Sequence, residues 1–381
     1  MTPYKRGNIL LIFCKKTAKE VEFLGRYLKN RKSAKKYANR IDKINKIEYN
    51  ICINKDKFRF LFNIYGFLFI YEVAMAKVFI DGSAGTTGLR IRERLSERKE
   101  ISLITLPEAV RKEPSARQKA IEEADVVFLC LPDDAAKESV ALAENTDAVI
   151  IDTSTAHRTA PGWVYGMPEL CGQRERIRTS KRIANPGCHA SGFVALIAPL
   201  VKEGFLSPDA VLTCTSLTGY SGGGKKMIAE YEGDSRDPLL DAPRMYGLSQ
   251  QHKHLAEMQA VCGLSRPPIF CPIVAPFYSG MEVTVPLFSE QLSVSPKRIG
   301  ELYADYYREG LIRFLPEAGE AGFLSAAALS GKDTMQITLA GNADRILLVA
   351  RFDNLGKGAS GAAIQNMNLI LGLAEDSGLC L

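Results

Sequence analysis

The chain has 381 residues, enough for two domains of ordinary size or three small ones. Hydrophobic residues make up 46% and charged residues 24%, which excludes a disordered or fibrous chain and points to a globular one. The nine cysteines include no C-x-x-C pair, so neither a zinc nor a disulfide framework is readable and a reducing cytoplasm is expected.

The net charge of +6 hides two compositions. Residues 1–74 hold 17 Lys+Arg against 6 Asp+Glu, whereas residues 75–381 hold 32 against 37. The main body is therefore slightly acidic and makes no electrostatic case for nucleic acid. Residues 1–74 are rich in Lys, Ile, Asn, Tyr and Phe. Their apolar run from Phe58 to Tyr71 is broken by Arg59, Asn63 and Gly66. It is shorter than the ~20 residues of a membrane span and lies too deep for a signal peptide. The segment is expected to stand outside the working protein, against the rivals of an accessory helix or a basic membrane-surface anchor. No membrane association is expected of the body.

Ala76 to Asp81 reads as a buried strand of the parallel kind. Gly82-Ser83-Ala84-Gly85-Thr86-Thr87-Gly88 follows it, then a helix over Leu89 to Leu95. Strand, glycine turn and helix is the setting in which backbone N–H groups face a dinucleotide pyrophosphate. The spacing is G-x-x-G-x-x-G, so the flanking elements carry the reading more than the motif does. A second strand is expected over Ile101 to Leu106. The loop after it offers Glu108, then Arg111, Lys112 and Arg117; basic side chains there suit a 2′-phosphate, hence NADP. Strands over Asp125 to Pro132 and Ala148 to Asp152 continue the alternation with helices. The pattern argues a doubly wound parallel sheet, in fold class α/β.

Asp152-Thr153-Ser154-Thr155-Ala156-His157-Arg158 leaves a strand at its C-terminal end, where such sheets place ligands. Arg158 is a candidate fork for a carboxylate or phosphate. Glu169, in Tyr165-Gly166-Met167-Pro168-Glu169-Leu170, is a candidate for orienting the site. The stretch Ile183-Ala184-Asn185-Pro186-Gly187-Cys188 then runs a short apolar segment into a strong turn signal. A helix is expected from Ala190 to Val201. Cys188 should stand at or just before its N-terminus, where free N–H groups and the helix dipole lower a thiol pKa.

A strand over Ala210 to Ser216 leads into Tyr220-Ser221-Gly222-Gly223-Gly224-Lys225, where backbone N–H groups can wrap an oxyanion or phosphate. Ser221 and Lys225 are candidate anion holders. His252-Lys253-His254 contains half of the four histidines and, with Cys188, suggests a nucleophile–base arrangement rather than a metal site. Strands over Ile269 to Ala275, Gly280 to Phe288, Thr334 to Ala340 and Arg345 to Asp353, with a helix over Ser295 to Glu309, should build a mixed sheet. The glycine-rich Asp353-Asn354-Leu355-Gly356-Lys357-Gly358-Ala359-Ser360-Gly361 opens a last helix, Ala362 to Leu373. Asn354 and Gly358 are candidate cofactor contacts there.

GSAGTTGL, LCLPDD, DTSTAHR, YGMPEL, NPGCHASG, GYSGGGK, HKH and DNLGKGASGAAIQNMN together resemble the N-acetyl-γ-glutamyl-phosphate reductases of arginine biosynthesis, in their shorter form. That family is similar in fold to aspartate-semialdehyde dehydrogenase. The resemblance covers almost all of residues 75–381 and leaves residues 1–74 without a counterpart. It implies a Rossmann-type NADP-binding domain over 75–188 plus 353–381, and an α+β catalytic and dimerisation domain over 189–352. It implies Cys188 as nucleophile and a base within His252-Lys253-His254, where Leu255-Ala256-Glu257 lacks the proline common in the family. It implies an acyl phosphate substrate, phosphate release and a homo-oligomer. The rival readings are aspartate-semialdehyde dehydrogenase or a lysine-pathway relative, and, in another class, a non-catalytic NADP-binding sensor.

Overall fold

The computed structural model describes residues 75–317 and 319–381; the expectations for residues 1–74 lie outside the described residues. The chain opens on β1 (Ala76–Asp81), α1 (Thr86–Ser96), β2 (Ile101–Ile104), α2 (Pro114–Glu123), β3 (Val126–Leu129), α3 (Asp133–Leu142) and β4 (Val149–Asp152). Then come β5 (Val164–Tyr165), α4 (Gln173–Thr179) and β6 (Arg182–Ala184). These strands form a parallel sheet in the order β2-β1-β3-β4-β6-β5. The apolar runs of β3 and β4, buried at every position, follow from burial on both faces. Val78, Ile80, Phe128 and Ile151 face one layer, which includes Ile91 and Leu95 of α1. Phe79, Val127, Leu129 and Ile150 face the other, with Ala120 and Ile121 of α2 and Ala136 of α3. The strand expected to reach Leu106 ends at Ile104, just ahead of Pro107, which has no N–H for a ladder.

The strand order reverses direction between β1 and β3. In open parallel sheets the crevice beyond the strand ends at such a point is where ligands bind.

The second sheet takes over at α5 (Cys188–Lys202), β7 (Thr213–Gly219), α6 (Gly224–Glu232), β8 (Arg244–Met245) and α7 (His254–Cys262). It continues through β9 (Ile269–Ala275), β10 (Met281–Phe288), α8 (Pro296–Tyr306), β11 (Ile312–Phe314), β12 (Met335–Gly341) and β13 (Arg345–Phe352). Its order is β11-β12-β13-β10-β7-β9-β8, with parallel and antiparallel neighbours mixed. One face buries Val283, Val285, Leu348 and Ala350 against Phe193, Leu196, Met258 and Tyr303 of α5, α7 and α8. The strand expected over 210–216 runs three residues later, because β9 pairs with it through Gly219 and β10 supports it from the other side.

After β13 a π-turn over Gly356–Ser360 leads into α9 (Gly361–Leu371), whose Ala363, Ile364 and Met367 return to the core of the first sheet. The chain is thus α/β: a Rossmann-like parallel layer and a mixed sheet, tied together by its last helix. Among the described residues, no helix is long and apolar enough to cross a membrane.

Candidate active site

A cleft of about 710 Å³ runs between the C-terminal edge of the parallel sheet and the loops after β7 and β8. One of its walls is the turn after β1. Gly82 stands at φ +88°, and a Cβ there would overlap the Cys130 carbonyl of the turn after β3. Only glycine combines that dihedral with so close an approach. Gly85 is the N-cap of α1 and no side chain caps it, so first-turn N–H groups remain open to an anion. Gly85, Thr86, Thr87 and Gly88 line the cleft.

On the other side of the Gly82 turn lies a hollow of about 340 Å³, lined by Gly82, Ser83, Arg92, Arg111 and Lys112. Arg111 pairs with Glu108 at 2.6 Å through one terminal nitrogen, while its Nε is buried without a partner. A bare backbone cradle beside an under-used guanidinium fits the pyrophosphate and 2′-phosphate of NADP.

Cys188 is the first residue of α5, with Gly187 as an extended N-cap. A Cβ on Gly187 would overlap both the Arg158 guanidinium and His254 Nε2, so the residue before the cysteine must be bare. A Cβ on Gly358 of the π-turn would come within 3.0 Å of Cys188 Cβ, which places the turn against the cysteine. The thiol is not lowered, as its helix position led one to expect. Burial pushes it up; Arg158, the His189 amide and Lys253 oppose that rise, and Glu257 adds to it. The amide and the two cations therefore offset burial rather than overcome it, and the resting group is a thiol.

Three imidazoles gather beside it. His252 and His254 have ring centroids 4.8 Å apart, and each lies within 5.7 Å of His189. His252 Nδ1 accepts from the His254 backbone N–H at 3.2 Å. His254 begins α7, and its Nδ1 is buried without a partner. All three are lowered, first by burial: His252 below the usual value, His254 well below it with Arg158 adding to the shift, and His189 to about 3. Each is neutral near pH 7.

A depressed histidine pKa means that below about 6.5 the unfolded chain binds protons the fold refuses. Folding stability is therefore expected to fall as pH drops from about 6.5 towards 3, the window set by these histidines. Urea midpoints at pH 7.5 and pH 5 check it, and equal midpoints would refute it. Turnover is expected to fall over the same acid range and to rise into the alkaline range as the raised thiol ionises. The cysteine and histidines titrate as one coupled system.

The carboxylate behind this arrangement is Glu257, 1% exposed on α7. Its Oε1 accepts from Tyr165 Oη and the Gly187 N–H, both at 2.8 Å. Its Oε2 accepts from Arg158 at 3.0 Å. Arg158 also donates to the carbonyls of Asn185 and Thr153, at 3.0 and 3.1 Å. One buried acid thus fixes both the peptide before Cys188 and the cation beside it.

Two protein-family models match the chain: "Semialdehyde dehydrogenase, NAD binding domain" over residues 106–180 and "Semialdehyde dehydrogenase, dimerisation domain" over residues 188–354. N-acetyl-gamma-glutamyl-phosphate reductase 2 from Nostoc sp. is 44% identical over 318 residues, covering 80% of this chain and 99% of the relative. The Brucella ovis reductase of the same name is 45% identical over 306 residues, covering 78% and 99%. The chain belongs to the N-acetyl-γ-glutamyl-phosphate reductase family. The fold is also that of aspartate-semialdehyde dehydrogenase II from Vibrio cholerae, at a TM-score of 0.61 and 16% identity, covering 78% of this chain and 98% of that one. The Candida albicans enzyme with NADP gives 0.55 at 17% identity, covering 79% and 99%.

In this reductase-family chain the cleft brings together Cys188, His252, His254, Arg158, Ser221, Asn354, Gly358 and the Gly85–Gly88 end of the cradle. Ser221 accepts from Asn354 Nδ2 at 3.0 Å, and Asn354 Oδ1 accepts from the Gly280 N–H at 2.9 Å. Ala84 is exposed in the glycine turn.

Three expectations need correction. Glu169 lies outside the cleft: its Oε1 accepts from Lys357 at 2.7 Å, from Gln365 at 2.9 Å and from the Leu311 N–H at 3.2 Å. Burial would raise that carboxyl, but the adjacent Lys357 ammonium holds it below the usual range. Lys225 is exposed on α6 and does not line the cleft, because it is the backbone of Gly222–Gly224 that does. Arg117 is engaged within the fold, 3.0 Å from Asp81 and 3.2 Å from Glu138, which leaves the phosphate argument to Arg111 and Lys112.

Glu257, His189 and Tyr246 were not singled out in the sequence. Only the spacing His254-x-x-Glu257, one turn along a helix, could have signalled the first of them.

Proposed function

We propose that the chain reduces N-acetyl-γ-glutamyl phosphate to N-acetylglutamate 5-semialdehyde with NADPH and releases phosphate, as a cytoplasmic step of arginine biosynthesis. The observation that carries the reading is Cys188 at the first residue of a helix, in the same cleft as a glycine cradle fit for a dinucleotide. Gly82–Gly88 and Asn354 would hold the cofactor, with Arg111 and Lys112 at its 2′-phosphate. When bound, NADPH supplies the hydride that takes the acyl carbon to the aldehyde level.

The protein's own groups do the rest. Cys188 loses its proton to the neutral histidine pair as substrate enters. Its sulfur attacks the acyl carbon and displaces phosphate, leaving an acyl thioester that accepts hydride more readily than a carboxylate. N–H groups at the start of α5 stabilise the oxyanion. Once the acyl carbon is reduced, the C–S bond breaks and the protonated histidine returns its proton to sulfur. We assign that role to His252, which is less depressed than His254 and whose Nε2 makes no hydrogen bond among the described residues. Arg158 and Ser221 hold the anionic ends of the substrate.

The same reading divides the chain into a cofactor domain, 75–188 with 353–381, and a catalytic domain, 189–352, with residues 1–74 dispensable. It also makes the protein a homo-oligomer through the outer face of the mixed sheet, which leaves Ile269, Phe288 and Leu347 exposed.

The test is phosphate-dependent NADP reduction with N-acetylglutamate 5-semialdehyde. Its kcat/KM is expected to exceed that with aspartate semialdehyde, and NADP is expected to be preferred over NAD. A preference for aspartate semialdehyde would overturn the substrate, and equal use of NAD would overturn the role of Arg111 and Lys112.

A further inference from the structure

Glu169 lies outside the cleft, but one of the segments it holds does not. Its Oε1 accepts from Lys357 of the π-turn, from Gln365 of α9 and from the Leu311 N–H just ahead of β11. Lys357 also donates to Gln365 Oε1. The Lys357 and Glu169 side chains are 3% and 0% exposed. A buried ion pair adds little stability over well-packed neutral side chains of the same volume, because desolvation offsets the attraction. What the pair does supply is geometry: a buried ammonium has to sit on its counterion.

Lys357 stands between two glycines, each pressed on a different wall. A Cβ on Gly356 would overlap the Lys332 carbonyl, and one on Gly358 would come within 3.0 Å of Cys188 Cβ. The next residue, Ala359, accepts through its carbonyl from Asn185 Nδ2 at 3.1 Å, and Asn185 belongs to the turn that delivers Cys188. Gly358 and Ala359 both line the cleft. The entry to the π-turn is fixed separately: Asp353 Oδ1 accepts from the Leu355 and Gly356 N–H groups at 2.6 and 3.1 Å. Turns of this kind are rare and recur at functional sites. This one is a wall of the nucleophile's pocket, and Lys357 anchors it from behind.

We propose that the buried Lys357–Glu169 pair positions the nucleophile: it pins the π-turn that backs Cys188 and so sets where the sulfur stands when it attacks. The proposal rests on Cys188 being the nucleophile. Lys357 and Glu169 are positioning residues, since neither lines the cleft. Lys357 Nζ and Gln365 Nε2 share one carboxylate oxygen, so the turn and α9 are held to the same point. The Leu311 N–H on that oxygen adds the mixed sheet, and Ile312 beside it is buried in the same core as Phe193 and Leu196 of α5. The helix that carries Cys188 and the turn that backs it are thus referred to one carboxylate. A misplacement of about 1 Å at a reacting group costs up to ~100-fold in rate, which gives such a common reference its use.

The experiment separates position from stability in the full chain. Lys357→Met or Glu169→Gln alone leaves a buried charge unpaired and should lower the urea midpoint. The double variant Lys357→Met/Glu169→Gln removes both charges at similar volume, so its midpoint should return to the parent's while its turn stays unpinned. Its kcat, with whichever semialdehyde the parent turns over, is expected to remain about 10- to 100-fold low at an unchanged KM, as for a misplaced reacting group. Iodoacetamide should alkylate Cys188 about ten-fold faster in the double variant, read on the peptide by mass spectrometry, because the Gly358 wall opens locally. A double variant with the parent's kcat and alkylation rate overturns the proposal, as does a loss confined to KM. Should the single variants fail to fold, the double variant decides. Alkylation needs neither substrate nor cofactor, so it reports on the turn whichever acyl substrate the chain takes. A Cys188→Ala variant that keeps its rate would instead remove the reading of Cys188 as nucleophile.

Discussion

Cys188→Ala is expected to lower turnover by more than about 100-fold, at least ~2.7 kcal/mol of barrier, while NADP binding persists. The substitution removes from the start of α5 the sulfur proposed to form the thioester. Binding should survive because the cradle is built elsewhere, on the β1–α1 turn and the backbone after β3. Steady-state rates and a fluorescence titration with NADPH check the two halves separately. A variant that keeps more than a hundredth of the rate would exclude covalent catalysis. One that loses both rate and binding would mean that Cys188 shapes the cleft instead. An absence of Cys188 alkylation in the parent would revive the non-catalytic sensor.

Glu257→Ala is expected to cost both stability and rate. The carboxylate is buried and holds three donors: the Tyr165 hydroxyl, the Gly187 N–H and the Arg158 guanidinium. Its removal leaves the Arg158 charge, whose side chain is 8% exposed, without its counterion. Breaking one side of a buried pair costs about 3–5 kcal/mol, far above the ~1 kcal/mol of an exposed pair. The urea midpoint should drop accordingly. Rate should fall further than stability explains, because the peptide before Cys188 and the cation beside it lose one shared anchor. Glu257→Gln keeps an oxygen for the Gly187 N–H and removes the charge, so it should fall between the two. Parent-like stability and rate in Glu257→Ala would show that the carboxylate anchors neither group.

Much of this site is legible along the chain because its parts are local. A turn followed by a helix places Cys188 through residues 185–190 alone, and a strand followed by a glycine turn places the cradle through residues 76–88. Such features depend on the dihedral limits of glycine and proline and on which N–H groups a helix start leaves free; both are properties of a few consecutive residues. The apolar runs of β1, β3 and β4 likewise announce strands buried on both faces.

What the sequence could not supply is which charges find partners. Arg111, Arg117 and Arg158 look alike in the chain, yet Arg117 is paired within the fold while Arg158 enters the cleft held by an acid 99 residues away. Glu169 and Glu257 are both buried acids. One meets Lys357 behind the last helix and the other meets the peptide before the cysteine, a difference made by the return of α9 and the position of α7. The thiol shows the same division. The helix start that favours its anion is written in the sequence, but the burial that opposes it comes from elements distant in the chain. Desolvation grows with everything packed around a group, so its balance against local hydrogen bonds is decided only when the two sheets and the last helix come together.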